Sequence, residues 1–190
     1  MVEANKTNGK SLSDTVAKSV NYSMLLKFFE EGIKDIYHSE NLMIKTLPKM
    51  TLAATALVLK QAFQEHLDVT KIQANRLLQI FELLGIEPQV KKCEAIEGIT
   101  REVEHGMEDT EDGTATRDVA LILSAQKLEH YEIATYRGLA QLAAKINLNE
   151  IAALLITTLD EEKEADIMLT DIAENDLNYV DSNQFVGTNE

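Results

Sequence analysis

Residues 125–134, AQKLEHYEIA, decide the fold because they combine the two features that recur along the whole chain. Ala125 and Leu128 belong to an apolar stripe at the spacing of one helix face. Glu132 falls four residues after Leu128, and Glu129 lies one turn earlier on the same side of the helix. A leucine would be expected at such a position. The stretch therefore predicts a helix whose apolar face carries carboxylates into the core of the protein.

Stripes of the same period predict three further long helices. The four apolar stripes cover residues 26–54, 59–84, 121–142 and 151–172. Gly85 followed by Pro88 is a typical helix stop, and Thr114 or Thr116 is the expected N-cap of the third long helix. Between them we expect a short amphipathic helix ending near Gly106 and an acidic loop through Gly113.

This pattern predicts an all-α fold with four long helices arranged as a four-helix bundle of two hairpins. The longer crossover between the hairpins is the segment 85–113, which contains the short extra helix. We expect one domain at residues 22–178. The polar, aperiodic segments 1–21 and 179–190 are predicted to be flexible termini.

Composition excludes several classes of function. The chain has 190 residues, with 32 acidic against 18 basic side chains and a net charge of −14, so it should repel nucleic acid and anionic membranes. No run of apolar residues is long enough for a membrane span, and no signal peptide is evident, which predicts a cytoplasmic protein. Cys93 is the only cysteine and cannot form an intramolecular disulfide.

Each of the four stripes is interrupted by ionisable residues on its core side. The candidate metal ligands are Glu40 on the first helix, His66 on the second, Glu129 and Glu132 on the third, and Glu162 and Asp166 on the fourth. A carboxylate isolated in an apolar core costs several kcal/mol. A metal ion would offset that cost, and hard oxygen ligands with one imidazole suit iron or manganese.

A weak internal repeat supports a shared site. At offsets of 92 and 96 residues, Glu40 aligns with Glu132 and His66 aligns with Glu162, as a pseudo-two-fold arrangement would require. Glu132 and Glu162 each lie fifteen residues from a turn near Asn147, so the constant rise of a helix places them at one level.

The first hairpin must turn late if Glu40 and His66 are to share that level. A turn at residue 50 would leave them about 9 Å apart along the axis. A turn near 53–56 brings them together. We therefore expect the first helix to continue through Pro48, although proline usually breaks a helix interior because it lacks a backbone N–H.

Two neighbouring side chains have predicted supporting roles. His130 lies on the opposite side of its helix from Glu132, which favours packing, an interface or an indirect contact with the site. Tyr37 aligns with Glu129 in the repeat. It either donates a hydrogen bond to a ligand carboxylate or packs as an ordinary core aromatic.

The chain resembles the YciF and YciE stress proteins of bacteria, a branch of the ferritin-like superfamily. The resemblance spans about residues 22–178, and its most specific motif is QKLEHYE at 126–132. The other matching segments are DIYHSE at 35–40, LPKM at 47–50, AFQEH at 62–66, KCEAIEG at 92–98 and LDEEK at 159–163.

The resemblance implies a ferritin-like bundle, a two-metal carboxylate centre, a homodimer and a stress-associated role. Superfamily ligands are a Glu on each of two helices and Glu-x-x-His on each of the other two. This chain departs from that pattern. Phe63 stands three residues before His66, Val69 stands where similar proteins tend to carry Glu, and the fourth helix offers no histidine. Whether two ions bind is therefore open.

Two functions of different classes follow, and the sequence leaves enzymatic activity open. The first is an iron- or manganese-binding protein, with up to two ions per chain, whose chemistry would be oxidation by oxygen or peroxide. The second is a metal-free helical homodimer with a structural or partner-binding role, using the acidic segment 94–112 as its partner surface. The extra helix disfavours a ferritin storage cage.

Overall fold

The chain folds into helices joined by short turns. The computed structural model describes residues 12–175 and residue 177, with the backbone alone for residues 12–19. This part of the chain contains five helices and no strand, which confirms the all-α prediction. The helices are α1 (Leu12–Ala53), α2 (Leu57–Leu84), α3 (Glu94–Glu108), α4 (Ala115–Lys145) and α5 (Asn149–Asn175). The predicted tail 179–190 lies outside the described residues.

The long helices pack as two hairpins. α1 lies along α2 and α4 lies along α5, while α1 also contacts α4 and α2 contacts α5. The short helix α3 packs mainly on α4. Gly85 adopts a left-handed conformation (φ 67°) and ends α2, and the Thr114 side chain accepts a hydrogen bond from the Arg117 backbone N–H at the start of α4. Both predicted helix boundaries are confirmed.

α1 passes through Pro48 without interruption. This confirms the prediction made from the requirement that Glu40 and His66 lie at the same height along the bundle. Proline inside a helix costs about 3 kcal/mol through the lost hydrogen bond and ring clash. Leu47 and Met50 on either side are 1% and 0% exposed, and their burial offsets that cost. The chain turns at residues 54–56, where the Asp118 carboxylate accepts the Thr55 and Ala56 backbone N–H groups at 2.6 and 2.8 Å.

The beginning of α1 differs from the sequence expectation. The helix starts at Leu12, well before the first predicted core position at Leu26, so residues 12–21 of the segment predicted to be loose are helical. The apolar side chains Val20, Met24 and Phe28 recur every fourth residue but are 53%, 65% and 69% exposed. No described helix covers this stripe.

The core consists of two apolar clusters separated by a polar layer. One cluster, here called the α3-side cluster, includes Met43, Leu47, Leu59, Phe63, Ile96 and Leu128. The other, here called the distal cluster, includes Phe29, Ile36, Leu77, Phe81, Tyr136 and Leu159. Glu40 lies between Ile36 and Met43, so it falls at the boundary between the clusters. Glu132 and Glu162 occupy the corresponding positions on α4 and α5.

Two smaller expectations can be compared with the structure. Among the described residues, no helix is long and apolar enough to span a membrane. Cys93 is buried at the N-cap of α3 as a free thiol, with its Sγ atom 3.0 Å from the Tyr131 hydroxyl. The thiol therefore packs as a small buried side chain.

Candidate metal centre

The polar layer brings together side chains from all four long helices. Glu40, Glu129, Glu132 and Glu162 are each at most 1% exposed, and the His66 side chain is 10% exposed. These residues lie at the interruptions in the four apolar stripes. Because the carboxylates adjoin apolar clusters on both sides, water cannot solvate them as it would on the surface.

His66, Glu129 and Glu162 form the tightest group. Each offers one ligand atom, and the three atoms lie within 4.8 Å of one another. His66 Nε2 is 3.1 Å from Glu129 Oε1 and 4.0 Å from Glu162 Oε2. Even so, the Nε2 atom has no hydrogen-bond partner, because its orientation toward Glu129 does not meet hydrogen-bond geometry. The three side chains therefore converge on a common point, with close contacts among themselves.

Glu40 and Glu132 differ because each has one hydrogen-bond donor from the protein. The buried Tyr136 hydroxyl donates to Glu40 Oε1, and the Ser39 hydroxyl donates to Glu132 Oε1 at 2.8 Å. Both donors are 0% exposed. These two carboxylates are therefore held in place by neutral groups on the facing helix.

Burial changes the ionisation of the four carboxyl groups. Desolvation raises the pKa of Glu129 to about 8 and that of Glu132 to about 7. Desolvation raises the pKa of both Glu40 and Glu162 well above the ordinary value, and repulsion from the charge of Glu132 is the second-largest cause. Burial also raises the pKa of Tyr136, so its phenol stays a hydrogen-bond donor. Without a cation, the layer holds protons at neutral pH.

Several polar atoms of the layer lack a partner among the described residues. They are Glu40 Oε2, His66 Nε2, Glu129 Oε2 and both carboxylate oxygens of Glu162. Buried polar atoms are normally satisfied, since an unmade hydrogen bond costs about 1–3 kcal/mol. Oxygen atoms from four glutamates and one imidazole nitrogen form the donor set of an iron or manganese site, so the residues fit such an ion.

Arg76 compensates a neighbouring carboxylate outside the layer. Its guanidinium binds both oxygens of Glu161 at 2.7 and 2.8 Å and donates to the Thr158 hydroxyl at 2.6 Å. Gln73 also donates to Glu161, at 3.2 Å. Glu161 is adjacent to Glu162 in sequence, but Glu161 is paired with Arg76 whereas Glu162 belongs to the polar layer.

Asp166 lies apart from the tight group, although it was among the candidate ligands. Its Oδ2 atom is 3.3 Å from His130 Nε2, and its Oδ1 atom has no hydrogen-bond partner. Its charge contributes to raising the pKa of Glu129, so it is a near neighbour of the site. The His130 side chain is 69% exposed and reaches the layer only through this contact. A ligand role for Asp166 stays a prediction.

The tyrosine that donates a hydrogen bond to the polar layer is not the predicted Tyr37. Tyr37 packs edge-on against Phe81, with ring centroids 5.4 Å apart and planes at 75°, which is the aromatic packing alternative. Tyr136 supplies the hydrogen bond instead. Its position four residues after Glu132 placed it on the same helix face, and that spacing is the signal that could have identified it.

An all-helical protein with a buried layer of four carboxylates and one histidine is the class that this fold and cluster define. A family model described as a domain of unknown function, DUF892, matches residues 24–180. The chain therefore belongs to the DUF892 family.

Its relatives include YciF. Protein YciF of Escherichia coli K12 is 39% identical over 160 residues, covering 84% of this chain and 96% of YciF. The crystal structure of the E. coli stress protein YciF matches with a TM-score of 0.76 at 40% identity, over 80% of this chain and 95% of that one.

A second solved structure also matches. It is a Rhodopseudomonas palustris protein called YcfI, whose name assigns it a provisional structural role. The TM-score is 0.74 at 36% identity, over 77% of this chain and 92% of that chain. The resemblance to YciF that the sequence motifs indicated is confirmed by these matches.

Proposed function

We propose that the protein binds iron or manganese in the polar layer, within a ferritin-like four-helix bundle, as a stress-associated member of its family. The observation that carries the proposal is the set of buried oxygen and nitrogen atoms that lack partners on His66, Glu129, Glu162 and Glu40. A divalent cation would satisfy these atoms and replace the protons that burial otherwise requires.

The two sides of the layer suggest two ion positions of unequal strength. His66, Glu129 and Glu162 would hold the first ion, because their ligand atoms already converge. Glu40 and Glu132, fixed by Tyr136 and Ser39, would hold a second ion. Phe63 and Val69 supply no ligand atom, so the second ion should bind more weakly.

When bound, a redox-active ion of this kind supplies electrons to oxygen or peroxide. The residues around it have other tasks. The apolar clusters exclude bulk water from the layer, which strengthens every electrostatic interaction within it. Tyr136 and Ser39 keep the carboxylates of Glu40 and Glu132 oriented. The raised pKa values mean that these groups release protons as a cation enters.

Elemental analysis of the full chain, purified without chelator and titrated anaerobically with Fe²⁺ or Mn²⁺, tests the proposal. We expect between one and two ions per chain. Glu132→Gln keeps the side-chain shape but removes a charge, so it should lower metal content while far-UV circular dichroism stays unchanged. Absence of metal in wild-type protein after titration would refute the proposal, and unchanged content in Glu132→Gln would place the site elsewhere.

The alternative is a metal-free helical homodimer with a structural or partner-binding role. The exposed stripe of Val20, Met24 and Phe28 on α1 favours an intermolecular contact, because apolar side chains at this spacing suit a second helix. The R. palustris relative is also described in structural terms. We propose this stripe as the dimer contact in either function, and sedimentation of Met24→Glu against wild-type protein would test it.

A further inference from the structure

A cleft between α2 and α5 contains one residue of the polar layer in its lining. Its volume is about 160 Å³, and His66 lies among its lining residues. A separate, smaller void of about 20 Å³ is lined by both His66 and Glu129. A space of this size holds one water molecule or one small ion. The linings of the two voids have four residues in common, so the voids adjoin one another: Ala62, His66, Ala165 and Met168.

Small side chains on both helices leave room for the cleft. Ala62 on α2 and Ala165 on α5 line both voids. A larger residue at either position would fill the gap between the two helices. Val69 adds an apolar side to the outer cleft without closing it.

Negative charge is concentrated at the outer end. Glu65 and Glu164 line the cleft and are exposed, and neither has an ion-pair partner within the described part of the chain. Glu161 also lines the cleft, but Arg76 compensates its charge through two hydrogen bonds. The uncompensated carboxylates would raise the local concentration of cations and repel anions.

The inner end presents an imidazole nitrogen that makes no hydrogen bond to the described residues. His66 Nε2 is buried and makes no hydrogen bond, and its side chain is nine-tenths buried at the end of the cleft. An imidazole nitrogen in this state is a metal ligand without a competing hydrogen bond. The two adjoining voids thus extend from exposed carboxylates, past apolar side chains, to an imidazole nitrogen that makes no hydrogen bond.

We infer that this cleft is the route by which a divalent cation reaches the polar layer, with Glu65 and Glu164 attracting the ion and His66 as its first buried ligand. The inference rests on the proposed metal-binding function. It concerns the rate of loading, whereas that function concerns the amount of metal bound. Glu65 and Glu164 are not ligands of the final site.

Stopped-flow uptake of Co²⁺ by the metal-free full chain, followed through the visible absorption of the bound ion, separates rate from occupancy. The double variant Glu65→Gln/Glu164→Gln should load about 10-fold more slowly at low ionic strength, because electrostatic steering contributes factors of this size or more. Its final occupancy should equal that of wild type. The control Glu82→Gln/Glu87→Gln removes the same charge at the C-terminal end of α2 and in the segment that follows it, and it should load at the wild-type rate.

A bulky uncharged substitution in the cleft provides a second test. Ala165→Leu should slow loading at every salt concentration, since it narrows the path without changing charge. If Glu65→Gln/Glu164→Gln loads at the wild-type rate, as its control does, and reaches the same occupancy, the proposed route is overturned and the proposed metal site stands. If wild-type protein takes up no metal at equilibrium, the proposed function itself fails, and the route with it. Should Ala165→Leu not fold, the charge variants decide the question alone.

Discussion

The two sides of the polar layer differ in how the protein supports them. On one side, Glu40 and Glu132 each accept a hydrogen bond from a buried hydroxyl, from Tyr136 and Ser39 respectively. On the other, His66, Glu129 and Glu162 converge on one another, and His66 Nε2 and both Glu162 oxygens have no hydrogen-bond partner. The four carboxylates on the two sides are each at most 1% exposed, so the exposure of the carboxylates does not explain the difference.

The difference indicates which part of the layer depends on a ligand. A protonated carboxyl group with a hydroxyl neighbour can remain in an apolar core at modest cost. Three convergent groups that receive no hydrogen bond from a neighbouring hydroxyl remain there at a higher cost, because they recover less of their desolvation penalty. The histidine side is therefore the part that a cation would stabilise most. The next three predictions test this contrast.

Glu162→Gln should have the largest effect. Glu162 touches the histidine side and also interacts with Glu40 and Glu132, so its loss should weaken both ion positions. We expect metal affinity to fall by at least about 100-fold, more than is usual for groups that only support a ligand. Isothermal titration with Mn²⁺ measures this. Glu174→Gln, an exposed position on the same helix, should bind like wild type, and equal affinities in all three proteins would contradict the contrast.

The metal-free protein should lose stability as pH rises. In the unfolded chain these carboxyl groups ionise near their ordinary pKa, whereas in the folded chain burial raises the pKa of Glu132 to about 7 and of Glu129 to about 8. Between about pH 5 and about pH 8 the folded state therefore binds more protons than the unfolded state, and stability falls with increasing pH.

Thermal unfolding with and without Mn²⁺ checks this dependence. The metal-free Tm should decrease steadily from about pH 5 to about pH 8. Added Mn²⁺ should raise the Tm most at the upper end, where fewer protons compete with the ion. A metal-free Tm that rises over this range would show that the carboxyl groups are not protonated in the folded state.

Tyr136→Phe should have the smallest effect of the three. It removes the hydrogen bond to Glu40 and keeps the ring within the distal cluster, so we expect a loss of about 1–2 kcal/mol in the free energy of unfolding. Affinity for the first ion should change by less than about 3-fold, because His66, Glu129 and Glu162 are untouched. Urea unfolding and Mn²⁺ titration measure the two quantities. A 100-fold loss of affinity would mean that the two sides do not act separately.

Much of the fold could be predicted because helical periodicity is a local property. Burial of Ile33, Ile36 and Leu47 on α1 follows from their spacing alone. Proline disfavours a helix interior, yet the passage of α1 through Pro48 was predicted because Glu40 and His66 had to lie at the same height along the bundle. The early start of α1 at Leu12 was missed, because Val20, Met24 and Phe28 pack against no described helix and so follow no core pattern.

Prediction of the site was less complete, because contacts between helices depend on rotation and rotamer as well as level. Glu40, His66, Glu129, Glu132 and Glu162 were identified from the interruptions in the stripes. Tyr136 and Ser39 were missed, since each is compatible with ordinary packing when its own helix is considered alone. Asp166 has the spacing of a ligand, yet its side chain reaches toward His130 on the outer side of the layer.

By itself, the sequence determined that four amphipathic helices carry ionisable residues toward a common core, because periodicity and helical rise fix the face and level of every side chain. Only the tertiary structure decided how those residues divide. Helix packing gave Glu40 and Glu132 a hydroxyl each and left His66, Glu129 and Glu162 facing one another. It also opened the cleft where Ala62 meets Ala165, since a gap depends on two surfaces and no single helix specifies it.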